Sequence, residues 1–153
     1  MSPSPKPLEV FCDRSLGKHQ VPNALRALGW QVHTMADVYG EEQAGTLSDR
    51  QWLADAGAQG WVVLHKDAAI ARLRGGQPGP ELAALIGAGV RAFCLMSAQL
   101  PGAEQAKRFV AASAVIEQIA RSQPGPFVYG LYTREVRQIW PQPGPARRGR
   151  TSA

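Results

Sequence analysis

The chain has 153 residues, of which 44% are hydrophobic and 19% charged, and this composition excludes disorder as its main state. A chain of this length holds one compact domain with its own core. No apolar run approaches the roughly 18 residues that cross a bilayer, and the opening residues lack a signal-peptide core, so we expect a cytoplasmic protein without membrane contact. Cys12 and Cys94 lack the spacing of a zinc site or a disulfide framework.

The net charge of +5 arises mainly at the two ends of the chain. The four cations there are Lys6, Arg147, Arg148 and Arg150. Without them, 13 basic residues oppose 12 acidic ones. We therefore predict a disordered leader over 1–7, a folded domain over 8–141 and a basic disordered tail over 142–153. Such a tail attracts phosphates electrostatically, and salt weakens this attraction, so its arginines are candidate nucleic-acid contacts.

Strand-like and helix-like segments alternate along the predicted domain. In the first half they are a strand at Leu8–Cys12, a helix at Val21–Leu28, a strand at Trp30–Thr34 and a helix from the capping-box pattern of Ser48 and Gln51 to about Gln59. In the second half they are a strand at Trp61–His65, a short helix at Ala68–Leu73, a helix at Glu81–Ile86, a strand at Val90–Met96, a helix at Glu104–Arg121 and a hairpin over Pro126–Trp140. No internal repeat interrupts this order.

This alternation predicts a three-layer α/β sandwich with a mainly parallel sheet and a C-terminal edge hairpin. The strand Trp61–His65 is β-branched and almost continuously apolar, which is typical of a buried parallel strand. The long helix carries its apolar residues on one face; they are Phe109, Ala112, Ile116 and Ile119. Sheets of this kind place their sites beyond the carboxyl ends of the strands.

Three aspartates are predicted to converge at that edge. Asp13 follows the first strand, Asp67 follows the third strand, and Asp49 lies in the first turn of the helix before the third strand. If the first and third strands are neighbours, the carboxylates repel one another unless a hard divalent cation such as Mg²⁺ binds among them. The alternative for each is structural, because aspartates also cap helices and favour helix N-termini.

Other candidates have competing structural roles. Asp37, Glu41 and Glu42 lie in a loop-like segment after the second strand, where one could supply a further acid or all could be solvated. Asp55 lies about 240° around its helix from Asp49 and should face elsewhere. Arg14 and Lys66 flank the acids. They could bind a phosphate, or they could be structural ion-pair partners of the acids. The three histidines, which are His19, His33 and His65, have no metal-ligand spacing, and no Walker or GxGxxG pattern is present.

Four stretches together resemble one family. FCDRSLG, VPNALRALGWQV, LSDRQWLADAGAQGWVVLHKDAAI and PGPFVYGLY are similar to the PIN-like domains of VapC-type toxins, over about residues 8–141. The resemblance implies a ribonuclease fold in which Asp13, Asp49 and Asp67 bind Mg²⁺ or Mn²⁺. Two features depart from the family: His65 stands where relatives usually have threonine, and a fourth acid has no clear counterpart.

The resemblance, added to the acids, predicts a metal-dependent endoribonuclease, the toxin of a toxin–antitoxin pair. Asp13, Asp49 and Asp67 would hold the cation, while Lys66 and Arg14 offset charge on the phosphate. The expected partners are RNA and an antitoxin protein, and a homodimer is a further expectation. Two alternatives stay open. One is a catalytically silent PIN-like protein-interaction module. The other is a phospho-acceptor receiver-like domain, which has the same strand layout but requires an acidic pair after the first strand.

Overall fold

The computed structural model describes residues 6–96 and 99–143, with the backbone alone for residues 68 and 69. Arg147, Arg148 and Arg150, which the sequence makes candidate RNA contacts, lie outside the described residues. Within the described ranges, no helix is long and apolar enough to cross a membrane.

A six-stranded sheet forms the centre of the fold, in the order β2-β1-β3-β6-β7-β8. Its strands are β1 (Glu9–Cys12), β2 (Gln31–Thr34), β3 (Val62–His65), β6 (Arg91–Leu95), β7 (Phe127–Leu131) and β8 (Val136–Trp140). All neighbours pair in parallel except β7 and β8, which form the antiparallel pair at one edge. The predicted parallel sheet and its C-terminal hairpin are therefore confirmed, including the adjacency of the first and third strands.

Helices cover both faces of this sheet. They are α1 (Gln20–Ala27), α2 (Met35–Tyr39), α3 (Glu41–Ala44), α4 (Asp49–Gln59), α5 (Pro80–Ala88) and α6 (Gly102–Ser122). On one face α1 and α6 pack over the core cluster that contains Val10, Phe93 and Phe109. On the other face α4 and α5 cover the cluster that contains Phe11 and Trp52. The predicted three-layer sandwich is thus confirmed, since each face of the sheet has its own apolar core.

The helix predicted at Ala68–Leu73 is shorter than predicted and of the 3₁₀ type. A 3₁₀ turn spans Ala68–Ala71, and a small hairpin follows, with β4 (Leu73–Arg74) antiparallel to β5 (Gln77–Pro78). The two residues between these strands, Gly75 and Gly76, have φ of +58° and +80°. Glycine accepts positive φ without steric cost, so this pair favours a two-residue hairpin turn over a helix.

The capping box predicted at the start of α4 is half formed. The Ser48 side chain accepts a hydrogen bond from the backbone N–H of Gln51, as predicted, at 3.2 Å. The Gln51 amide, however, donates to Asp55 Oδ1 at 3.1 Å, one helical turn further on. A complete capping box lies instead at the start of α2, between Thr34 and Asp37.

Candidate functional site

The ends of β1 and β3 meet at the carboxyl edge of the sheet. Cys12 pairs with Leu64 in the parallel register, and the backbone N–H of Asp13 donates to the Leu64 carbonyl at 3.0 Å. Asp13 therefore emerges beside the segment that continues through Lys66 to Asp67. The tertiary fold brings these strand ends together, as the predicted sheet order requires.

Asp13 is a buried carboxylate, with only 3% of its surface exposed. Its Oδ1 accepts from the backbone N–H of Arg14 at 2.7 Å, and its Oδ2 accepts from Ser15 Oγ at 2.9 Å. Burial raises the pKa of Asp13, the bonds from Ser15 and Arg14 lower it, and the charge of Asp49 raises it again. The resulting pKa of Asp13 is above its ordinary value, so the surroundings disfavour the charged form of this carboxyl group.

Ser15 joins the two strand ends, a role that the sequence analysis missed. Its hydroxyl donates to Asp13 Oδ2 and also accepts from the backbone N–H of Lys66 at 3.1 Å. One side chain thus orients the carboxylate and ties it to the chain that leads into Asp67. The local signal was present, since a serine two residues after an aspartate often forms such a bond, but the contact to Lys66 depends on the tertiary fold.

Asp49 is held by a tryptophan of its own helix. As the first residue of α4 it lies half-buried, and its Oδ1 accepts from Trp52 Nε1 at 2.9 Å. The Trp52 ring is fully buried and stacks on Phe11 of β1 at 5.3 Å between ring centroids. The carboxylate is therefore fixed by a core residue, and its charge acts on Asp13.

Asp67 lies at the exposed end of the β3 segment, in a turn held by its backbone. Its carbonyl accepts from the backbone N–H of Ile70 at 3.1 Å and lies 3.2 Å from His65 Nδ1. Burial lowers the pKa of His65 to about 4, so at neutral pH the ring is uncharged and Nδ1 donates this bond. Burial also raises the pKa of the Cys94 thiol, and the charges of Asp67 and then Asp13 raise it further. Both carboxylates thus act on one buried residue of β6.

The charge of Asp49 acts on Asp13, but the three acids do not form a tight cluster. Among residues 6–96 and 99–143, no three histidine, cysteine, aspartate or glutamate side chains could share one metal ion. Hydrated Mg²⁺ uses few protein ligands and keeps several waters, so a compact cage is not required. The buried carboxylate of Asp13, whose charge Asp49 opposes, is chemically suited to a hard cation. The residues present therefore fit such an ion.

Three of the remaining candidate acids have partners of their own. Asp37 caps α2 and pairs with Arg26 at 2.9 Å, and Glu41 pairs with Lys18 at 3.0 Å. Asp55 accepts from Tyr39 at 2.5 Å, so it faces α2, in agreement with the prediction that it faces away from Asp49. Whether Glu42, which is exposed, supplies a further acid stays a prediction.

The two cations beside the acids lie in different surroundings. The Arg14 guanidinium donates through Nη2 to the carbonyl of Leu47, just before α4. Lys66 lines an open groove of about 410 Å³ together with Ser15, Lys18 and Gln105. Arg14 thus also ties the end of β1 to the start of α4, while Lys66 faces a basic groove beside the acids.

A family model described as "PIN like domain" matches residues 8–97, which is more than half of the chain. The chain belongs to the PIN-like domain family. A relative in Mycobacterium tuberculosis (strain ATCC 25618 / H37Rv), named "Putative ribonuclease VapC45", is 38% identical over 130 residues, which cover 85% of this chain and 90% of the relative. No solved structure matches the chain. The PIN-like assignment confirms the resemblance found in the sequence and removes the receiver-like alternative.

Proposed function

We propose that this PIN-like protein is a metal-dependent endoribonuclease and the toxin of a toxin–antitoxin pair. The observation that carries the proposal is the buried Asp13 carboxylate, with a raised pKa, at the strand edge from which Asp67 also emerges. The relative that is named a ribonuclease supports the same reaction class. The proposed setting is the cytoplasm, and the proposed partners are RNA, an antitoxin protein and a second copy of the chain.

Asp13, Asp49 and Asp67 would hold Mg²⁺ or Mn²⁺, directly or through water. When bound, the cation neutralises charge on the scissile phosphate and lowers the pKa of an attacking water. Asp13 is firmly held, because hydrogen bonds fix both of its oxygens and the residue is buried. Asp49 is oriented by the Trp52 indole, which leaves its other oxygen for the cation.

Basic side chains would position the RNA at this edge. Lys66 lies next to Asp67 in sequence and lines the groove with Lys18, so both amines can contact phosphates. Arg14 can contribute those guanidinium N–H groups that do not bond Leu47. The arginines of the C-terminal segment, which are Arg147, Arg148 and Arg150, would add a sequence-independent attraction.

Asp67→Asn tests the proposal, since Asp67 is exposed and the substitution keeps its size. With Mn²⁺ or Mg²⁺ and single-stranded RNA, we expect cleavage to fall by on the order of a hundredfold, the scale for loss of one electrostatic element. RNA binding should be equal or tighter, because a negative charge has gone. Expression of the wild type should arrest growth of a host, and the variant should not.

Glu9→Gln is the matched control, since it removes one carboxylate at the opposite, amino end of β1. It should cleave like the wild type. The competing function is a PIN-like module that binds without cleaving, and it is favoured by the lack of a tight three-ligand cluster among the described residues. If wild type and Asp67→Asn are equally inactive on RNA and equally harmless to cells, the binding module is the correct function.

A further inference from the structure

A small cavity opens beside Asp13, between the ends of β1 and β2. Its volume is about 190 Å³. Its walls are formed by small or apolar residues, which are Cys12, Gly17, Met35, Ala36, Ala44 and Gly45. Arg14, Lys18 and Glu41 also line it, and all three are exposed. The cavity therefore has an apolar interior and a charged mouth.

The interior is small and mostly apolar, so it suits one uncharged ring rather than a charged group. Cavities that enclose drug-sized ligands are roughly 300–1,000 Å³, so this one is limited to a single small group. Cys12 is almost fully buried, and a free thiol in such a place packs as a small, weakly polar group. Met35 and Ala44 are almost fully buried and belong to the core cluster under α4, so the walls are firmly held.

The mouth suits the edge of a nucleobase and its flanking phosphates. Lys18 Nζ and Glu41 Oε2 lie 3.0 Å apart, which places a hydrogen-bond donor beside an acceptor. Base edges present the same pairing of donors and acceptors. Arg14 supplies a guanidinium on which a base can stack or a phosphate can rest.

The position of the cavity links it to the acids. Cys12 and Arg14 line it, and they immediately precede and follow Asp13. A chain whose phosphate lies at Asp13 would therefore have an adjacent base at this opening. Sequence-specific recognition of RNA commonly uses unpaired bases that stack on aromatic or arginine side chains and hydrogen-bond along their edges.

We propose that this cavity binds one unpaired RNA base next to the scissile phosphate and so sets the nucleotide preference of cleavage. The inference rests on the proposed ribonuclease function. In this proposal, residues of α2 and α3 that line the cavity determine the nucleotide preference. The acids at the ends of β1 and β3 and at the start of α4 carry out the proposed cleavage.

Filling the cavity tests the proposal. Ala44→Leu and Ala36→Leu add bulk from two different helices, and Ala58→Leu makes the same change at an exposed position of α4 outside the cavity. Each protein cuts a pool of single-stranded RNA with randomised positions in Mn²⁺, and the cut ends are sequenced. The wild type and Ala58→Leu should prefer one base beside the cut by about tenfold, the scale of a single base contact. Both cavity variants should lose this preference while cutting the pool at saturation within a few-fold of the wild-type rate.

An unchanged preference in both cavity variants would overturn the base pocket and leave the ribonuclease function intact. Should both fail to fold in a thermal melt, Glu41→Gln decides, because its side chain is exposed and outside the core. This change replaces a pure acceptor by an amide, so it should alter which base is preferred, and an identical preference would refute the proposal.

A second measurement separates the cavity from the chemistry. Protein labelled with ¹³C at the methionine methyl groups is titrated with AMP, GMP, CMP and UMP, each without metal. At least one nucleotide should shift the Met35 signal, and Ala44→Leu should abolish that shift. If no RNA is cleaved but Met35 responds, the ribonuclease function and the role of the cavity in cleavage both fail, while its binding of a base stands. If no nucleotide shifts Met35, the base pocket fails.

Discussion

Replacement of Asp13 by asparagine should remove the metal response of the protein without unfolding it. Asparagine keeps the size of the side chain, and its Oδ1 can still accept from the backbone N–H of Arg14. The variant carries no charge at a site where burial and Asp49 disfavour the charged form. In the absence of metal it should therefore melt at the same temperature as the wild type or higher.

The pH dependence of stability has a defined sign. Because the pKa of Asp13 is raised above its ordinary value of 3.8, the folded protein holds this proton more tightly than the unfolded chain. The free energy of unfolding of metal-free wild type should fall as pH rises from that ordinary value through the raised pKa. Asp13→Asn should lack this contribution, so the two proteins should diverge most at neutral pH.

The size of the metal response follows from mass action. At a free Mg²⁺ concentration about ten times its Kd, binding to the folded state alone adds about 1.4 kcal/mol to the free energy of unfolding. For a chain of this size that corresponds to a rise in Tm of roughly 3–6 °C. The wild type should show this rise at neutral pH, and Asp13→Asn should show almost none.

Thermal melts with and without Mg²⁺ or Mn²⁺, at pH 5 and pH 7, measure both effects. Asp55→Asn is the matched control, because it makes the same chemical change on α4 at a residue that faces Tyr39. It should keep the wild-type metal response even if its own stability changes. Equal metal-induced shifts in wild type and Asp13→Asn would refute the assignment of Asp13 as a ligand.

Two further changes test the surroundings of the acids. Ser15→Ala removes the bridge between Asp13 Oδ2 and the N–H of Lys66. In a denaturant titration it should lower the free energy of unfolding by about 1–3 kcal/mol. The control Ser122→Ala, at an exposed position of α6, should change that free energy by less than about 0.5 kcal/mol. Deletion of residues 142–153 should weaken binding to long RNA and flatten its salt dependence, while turnover of a short substrate at saturation should survive. If the truncated protein folds but loses turnover of the short substrate, the segment does more than attract RNA and takes part in cleavage.

The periodicity of the sequence determined most of the architecture. Buried parallel strands must be apolar throughout, so Trp61–His65 was recognisable, and the one-sided apolar face of Glu104–Arg121 identified the long helix. Phe109 and Ile116 of that face are fully buried against the sheet, as predicted. The short helix after β3 was predicted too long, because the composition of Ala68–Leu73 favours a helix while the glycine pair beyond it makes Leu73–Arg74 the first strand of a hairpin.

The placement of acids after strands was also visible in the sequence, since a parallel sheet collects its carboxyl ends at one edge. What surrounds those acids was not. The burial of Asp13 and the bridge of Ser15 to Lys66 depend on which backbones become neighbours. The hydrogen bond from Trp52 to Asp49 lies within one helix, but the packing of the Trp52 ring on Phe11 is tertiary. The cavity between β1 and β2 likewise arises from residues far apart in the chain. Local periodicity reports which face of an element is buried, whereas hydrogen-bond partners and cavities are set by the packing of elements from distant parts of the sequence.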